Sequence, residues 1–102
     1  MAFTKVATIH ELGSGRAKQA RVGSHTLAIF NVGGTFYAVD DTCPHRGAPL
    51  WEGDLSGTEV TCPWHGARFD VTTGANLSPP ARSGVACYPV RIVGDEVQVD
   101  VP

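Results

Sequence analysis

The chain has 102 residues, a formal net charge of −2 and 42% apolar residues, enough for one domain with a modest core and not for two. Lys and Arg stand singly rather than in patches, which excludes an electrostatic footprint for nucleic acid. No apolar run approaches the length of a membrane span. The opening Met1-Ala2-Phe3-Thr4-Lys5-Val6 shows no basic region followed by an apolar stretch, so the expectation is a cytoplasmic protein without membrane association.

In chain order, runs rich in β-branched and aromatic residues cover 3–8, 17–22, 26–31 and 36–39, separated by Gly13-Ser14-Gly15, Gly23-Ser24 and Gly33-Gly34. An insertion follows from about 41 to 80. It holds short runs at 59–61 and 67–71 and the turn signals Ser56-Gly57, Thr73-Gly74 and Pro79-Pro80. The last runs are 87–93 and 96–101, joined by Gly94-Asp95, a pair suited to a type II′ hairpin. Glu96-Val97-Gln98-Val99-Asp100-Val101 alternates polar with apolar, as a half-buried strand does. No long amphipathic helix is evident. The expectation is all-β, a small antiparallel β-sandwich or barrel forming a single domain over 1–102. Cys87, in Val85-Ala86-Cys87-Tyr88-Pro89-Val90, is read as a small buried hydrophobe.

The chemistry resides in two matched segments of the insertion, Cys43-Pro44-His45-Arg46-Gly47 and Cys62-Pro63-Trp64-His65-Gly66. Each delivers one thiolate and one imidazole from a short loop, as C-x-H and C-x-x-H. A mixed-ligand 2Fe–2S centre needs this donor set, with two cysteines on one iron and two histidines on the other. Proline after each cysteine stiffens the turn by fixing φ, and glycine after each histidine admits backbone angles closed to other residues. Structural zinc could also take two cysteines and two histidines, but zinc modules usually pair like ligands within a knuckle. A Cys43–Cys62 disulfide would leave both histidines unexplained, and a catalytic Cys–His pair needs one of each, not a matched duplicate.

The segments Gly34-Thr35-Phe36-Tyr37-Ala38-Val39-Asp40-Asp41, Gly47-Ala48-Pro49-Leu50 and Cys62-Pro63-Trp64-His65-Gly66-Ala67-Arg68-Phe69-Asp70 together resemble the Rieske-type ferredoxins. These are the small electron carriers of bacterial ring-hydroxylating oxygenase systems, and the likeness runs over most of the chain. It implies two packed antiparallel sheets, the Rieske fold, with a cluster-binding subdomain. It also implies one 2Fe–2S cluster, with Cys43 and Cys62 on the inner iron and His45 and His65 on the outer, solvent-reaching one. Thr73-Gly74 and Leu77-Ser78-Pro79-Pro80 look like the family's third loop, in which Pro79 and Pro80 cap the cluster.

Subtype follows from what neighbours the ligands. Respiratory Rieske proteins carry an extra cysteine in each ligand loop. Ala48 and Trp64 occupy those places here, so that disulfide cannot form. Those proteins also place a serine and a tyrosine beyond the second histidine, where hydroxyls hydrogen-bond cluster and ligand sulfurs. Ala67 and Phe69 stand here instead and offer no side-chain donor. Such bonds stabilise the charge added on reduction, so their absence places the potential near the low end of the Rieske range, about −150 mV rather than +300 mV.

A centre of that kind suits one-electron transfer from an NAD(P)H-dependent flavin reductase to a terminal oxygenase in aromatic compound catabolism. The protein itself would not be an enzyme. An oxygenase needs a further iron held by two histidines and a carboxylate. After the cluster is built only His10 and His25 remain, and they are read as ordinary scaffold histidines. The rival electron-transfer reading is a Rieske-like small subunit of an assimilatory nitrite reductase; a zinc-stabilised module is the third. Trp64 is read as a water shield for the cluster, Trp51 as packing, Arg68 and Asp70 as a local pair, and Arg46 as either a solvated charge or a steering group for an acidic partner.

Overall fold

A computed structural model describes residues 3–42, 49–63, 66–77 and 84–101. Ten strands and a single 3-10 turn account for the regular structure, with no α-helix among the described residues. The strands are β1 (Phe3–Thr8), β2 (Ala17–Val22), β3 (His25–Val32), β4 (Thr35–Asp40), β5 (Asp54–Ser56), β6 (Glu59–Thr61), β7 (Arg68–Asp70), β8 (Cys87–Tyr88), β9 (Val90–Val93) and β10 (Glu96–Asp100), with the 3-10 turn at Leu50–Glu52. All pairings are antiparallel and build three sheets, ordered β1-β10-β9, β2-β3-β4-β8 and β5-β6-β7.

The four-stranded sheet is the middle layer, and its composition shows why. In β3 the run Leu27-Ala28-Ile29-Phe30 is wholly buried, because successive side chains leave opposite faces and both faces are covered. Leu27 and Ile29 join Phe36 and Ala38 of β4, Ala7 of β1 and Val97 and Val99 of β10 in one core. Ala28, Phe30 and Val39 face the other way, into a second core with Leu50, Val60, Cys62, Ala67, Phe69 and Val71. Each fully buried aliphatic or aromatic side chain contributes about 1.5–3 kcal/mol, so both cores are substantial.

Two expectations about strands are corrected. The run 87–93 is not one strand: it splits at Pro89 into β8, on the edge of the middle sheet, and β9, on the edge of the first sheet. Proline has no N–H for a ladder, so the chain changes sheets there, and the Pro89 carbonyl accepts from Asp100 N–H at 3.0 Å. Cys87 is exposed rather than buried. It pairs with Val39 in register, but β8 is two residues long at a sheet edge, and among the described residues the thiol stays open to solvent. The final hairpin is as expected: Val93 pairs with Glu96 across Gly94-Asp95, and Gly94 alone takes a positive φ, 62°, the type II′ signature.

Candidate metal centre

The third sheet exists to carry loops. β5, β6 and β7 are three residues each, too short to persist alone, and are held by burying Val60 and Phe69 against Phe30 and Val39 of the middle sheet. Two loops leave this region, and each is closed at its foot by backbone pairing.

The first ligand segment, 43–48, lies outside the described residues, and the described chain pairs on either side of it. The chain leaves β4 through Asp41, and Thr42 bridges Pro49 on the far side of the loop. Leu50 N–H donates to the Asp41 carbonyl at 2.6 Å, and Leu50 is fully buried in the second core. The 3-10 turn that follows ends at Gly53, whose N–H returns to the Leu50 carbonyl at 2.9 Å. Gly53 has an ordinary φ of −75°. It is required for room, since any Cβ there would run into the Thr61 carbonyl oxygen.

The second loop continues β6. Cys62 N–H donates to the Ala67 carbonyl at 2.7 Å and Gly66 N–H to the Cys62 carbonyl at 3.1 Å, which turns the chain back into β7. Gly66 adopts φ +72°, the left-handed region the sequence reserved for a glycine after a histidine. No described atom lies within 4 Å of where its Cβ would be, so the backbone angle rather than crowding demands glycine.

Cys62 is the one predicted ligand among the described residues. It is 2% exposed, carries no disulfide and lies in the same apolar core as Leu50, so the feet of both loops share one packing cluster. Cys43, His45 and His65 lie outside the described residues, as do Arg46, Ala48, Trp64, Pro79 and Pro80. Among the described residues no three His, Cys, Asp or Glu side chains stand together as a metal site. The donor chemistry nevertheless fits an iron–sulfur group. Cys62 supplies a sulfur free of any disulfide at the foot of a hairpin, shielded from water by aliphatic and aromatic side chains, and solvent exclusion is how such sites control their potential. Ala67 and Phe69 are both fully buried beside it and present only carbon toward that core.

A third stretch, 78–83, begins and ends at paired backbone. Asn76 bridges Phe69, Leu77 N–H donates to the Arg68 carbonyl at 2.8 Å, and Val85 N–H donates to the Gly74 carbonyl at 2.8 Å. Here Gly74 (φ +79°) and Gly84 let two backbones touch: a Cβ on Gly74 would strike the Val85 carbonyl oxygen, and one on Gly84 the Gly74 carbonyl oxygen.

Other residues singled out from the sequence take plain roles. Trp51 is half-buried against the second core, as expected for packing. The ion pair shown for Arg68 is with Glu59 across the ladder at 3.3 Å, while Asp70 accepts from both the N–H and the hydroxyl of Thr72. His10 sits 3.7 Å from the exposed Asp95 carboxylate, and His25 packs edge-on against Tyr88.

Sequence reasoning missed Asp41. It is a buried carboxylate, 2% exposed, accepting from Trp51 N–H at 2.9 Å and from Gln19 Nε2 at 2.8 Å. The available signal was an acidic pair, Asp40-Asp41, directly ahead of a ligand cysteine; nothing local says which of the two turns inward.

Comparison with known proteins agrees with this geometry. The family model of the Rieske [2Fe-2S] domain matches residues 2–89. The biphenyl dioxygenase ferredoxin subunit of Pseudomonas sp. (strain KKS102) is 42% identical over 101 residues, 98% of this chain and 93% of its own length. The ferredoxin of carbazole 1,9a-dioxygenase from Nocardioides aromaticivorans IC177 superposes with a TM-score of 0.95 at 31% identity over 100% of both chains. A chain from a solved complex of reduced oxygenase and oxidized ferredoxin in carbazole 1,9a-dioxygenase superposes with a TM-score of 0.89 at 38% identity, covering 95% of this chain and 91% of its own. Among the described residues no helix is long and apolar enough to cross a membrane. The chain therefore belongs to the Rieske [2Fe-2S] family, whose cofactor is a Rieske-type 2Fe–2S cluster, among relatives that are ferredoxin components of dioxygenase systems and move electrons rather than catalyse.

Proposed function

We propose that this chain is a one-electron carrier of the cytoplasm. It would accept an electron from an NAD(P)H-dependent flavin reductase and deliver it to a terminal ring-hydroxylating oxygenase in aromatic compound catabolism. Residues 1–102 act as a single domain in which about 41–80 form the cluster-binding part. Cys43 and Cys62 would hold the inner iron, and His45 and His65 the outer one. The cluster, when bound, supplies reversible one-electron chemistry.

The observation that carries this reading is the Cys62 sulfur, buried and free of a disulfide at the foot of a closed hairpin, in one apolar core with the foot of the first loop. The chain's own residues then do three things. The backbone closures at Thr42–Pro49 and Cys62–Ala67 fix where each loop starts and stops. Leu50, Val60, Phe69 and Phe30 exclude water from the thiol side. Ala67 and Phe69 withhold hydroxyl donors, which supports a low potential suited to a flavin donor and an oxygenase acceptor. The relative solved in complex with its oxygenase supports direct docking of the carrier on that partner. Because the carrier must leave each partner, the encounters are expected to bury less than about 1,200 Å².

Electron paramagnetic resonance of the dithionite-reduced protein, with iron counted per chain, tests the ligand assignment. Two irons with the mixed histidine–cysteine signature support it, and replacing His45 or His65 with cysteine should then lower the potential. A colourless, iron-free protein after anaerobic purification refutes it. Reconstitution with flavin reductase and oxygenase pairs, read as NAD(P)H-dependent product formation, tests the partners.

A further inference from the structure

Asp41 puts a carboxylate where one is strongly disfavoured unless it is fully partnered, with 2% of its surface exposed. Its partners come from three directions. Gln19 Nε2 on β2 donates to Oδ2 at 2.8 Å, and Trp51 N–H in the 3-10 turn donates to Oδ1 at 2.9 Å. Its backbone carbonyl accepts from Leu50 N–H at 2.6 Å, and its own N–H donates to the Thr26 carbonyl of β3 at 3.0 Å. Both carboxylate oxygens thus face N–H donors. The residue stands just before the Thr42–Pro49 bridge, so the chain enters and leaves the first loop through the hydrogen bonds of this one residue.

We infer that Asp41 is the positioning residue of the first ligand loop, and that its buried negative charge at the loop's foot biases the cluster against taking up an electron. The inference rests on the ligand assignment proposed above. Two consequences follow from different physics. Clamping the consecutive N–H groups of Leu50 and Trp51 ties the return of the chain at 50–51 to a residue two positions ahead of Cys43. A fixed anion in a medium poorly screened by water opposes a further negative charge nearby, so it stabilises the oxidised form.

Asparagine and alanine separate the two. In Asp41→Asn the side-chain oxygen still accepts from Trp51 N–H, and a flip of the Gln19 amide turns its oxygen toward the new NH₂, so the clamp survives without the charge. In Asp41→Ala clamp and charge are both lost. The experiment is voltammetry, paramagnetic resonance and iron counting on wild type and both variants, with far-ultraviolet circular dichroism as the folding control. D41N should keep two irons and the wild-type line shape while its reduced-to-oxidised ratio at a fixed poise rises roughly tenfold, equivalent to about 59 mV for a one-electron couple. D41A should keep its sheet signal and lose at least half its iron. An unshifted potential in D41N overturns the electrostatic role, and full iron with a wild-type line shape in D41A overturns the positioning role. Should D41A fail to fold, D41N still decides the electrostatic role, and Gln19→Ala, which removes a donor that holds the carboxylate, decides positioning: lost iron or an altered line shape supports it, and full iron with a wild-type line shape overturns it. Wild type without the mixed-ligand signature refutes the ligand assignment and this inference with it. A wild type that shows the signature beside indistinguishable variants refutes only the role of Asp41.

Discussion

The molecule joins two regions built on opposite principles. The core between the first and middle sheets draws mainly on strands of four to eight residues, with β3 giving one face to this core and the other to the second. Its stability comes from burial summed over many positions. The loop-bearing region uses strands of three residues and depends on individual atoms: the backbone closures at 42–49 and 62–67, two glycines at a backbone contact, and one buried carboxylate. The first region is expected to tolerate volume-conserving change, and the second to be sensitive at the few residues that make those contacts.

Substitutions that attack one region and spare the other break this comparison. The largest effect is expected from Cys62→Ala, which should reduce iron per chain to near zero while far-ultraviolet circular dichroism keeps its sheet signal. Retained iron would show that Cys62 is core and not ligand. Ile29→Ala, in the first core, should cost about 2–5 kcal/mol of unfolding free energy in denaturant titration. Its folded fraction should keep an unaltered paramagnetic resonance line shape. Gly74→Ala adds a Cβ against the Val85 carbonyl at a positive φ and should cost about 2–3 kcal/mol. The loss should appear as faster amide exchange confined to 70–77 and 84–87, and uniform acceleration across β1 and β10 would contradict the separation of the two regions.

The smallest effect concerns a polar link on the middle sheet. Tyr88 donates its phenolic hydrogen to Asp40 Oδ1 at 2.6 Å. Burial first, then that hydrogen bond and the Asp40 charge, push the phenol up to about 12 from 10.0. The folded protein therefore holds the proton longer than the unfolded chain does. The resulting stability is whole below about pH 10 and drains away as pH rises toward 12. Tyr88→Phe should cost about 1 kcal/mol near neutrality and flatten that alkaline decline, as thermal melts between pH 9 and 12 would show.

The scaffold was legible residue by residue where its signal is local. The β-branched runs bounded by glycine pairs locate β1 to β4, β6, β7 and β10 within a residue or so at each end, and Gly94-Asp95 names its own turn type. β5 escaped notice because Asp54-Leu55-Ser56 has no strand propensity of its own; it exists through pairing with β6, Leu55 opposite Val60. The candidate site was legible only as a list of donors. The types and spacing of Cys43, His45, Cys62 and His65 name them as candidates, whereas nothing local names the supports beneath them.

By itself the sequence determined the all-β class and the antiparallel hairpins and named four candidate donors, since alternation, turn chemistry and ligand type are all written within a few residues of each other. Only the tertiary structure decided that the middle sheet is covered on both faces, that Pro89 passes the chain from one sheet to another, that Cys87 faces solvent and that Asp41 rather than Asp40 is wholly enclosed. Those outcomes depend on which distant segment packs against a residue, and burial is a property of that neighbour as much as of the residue itself.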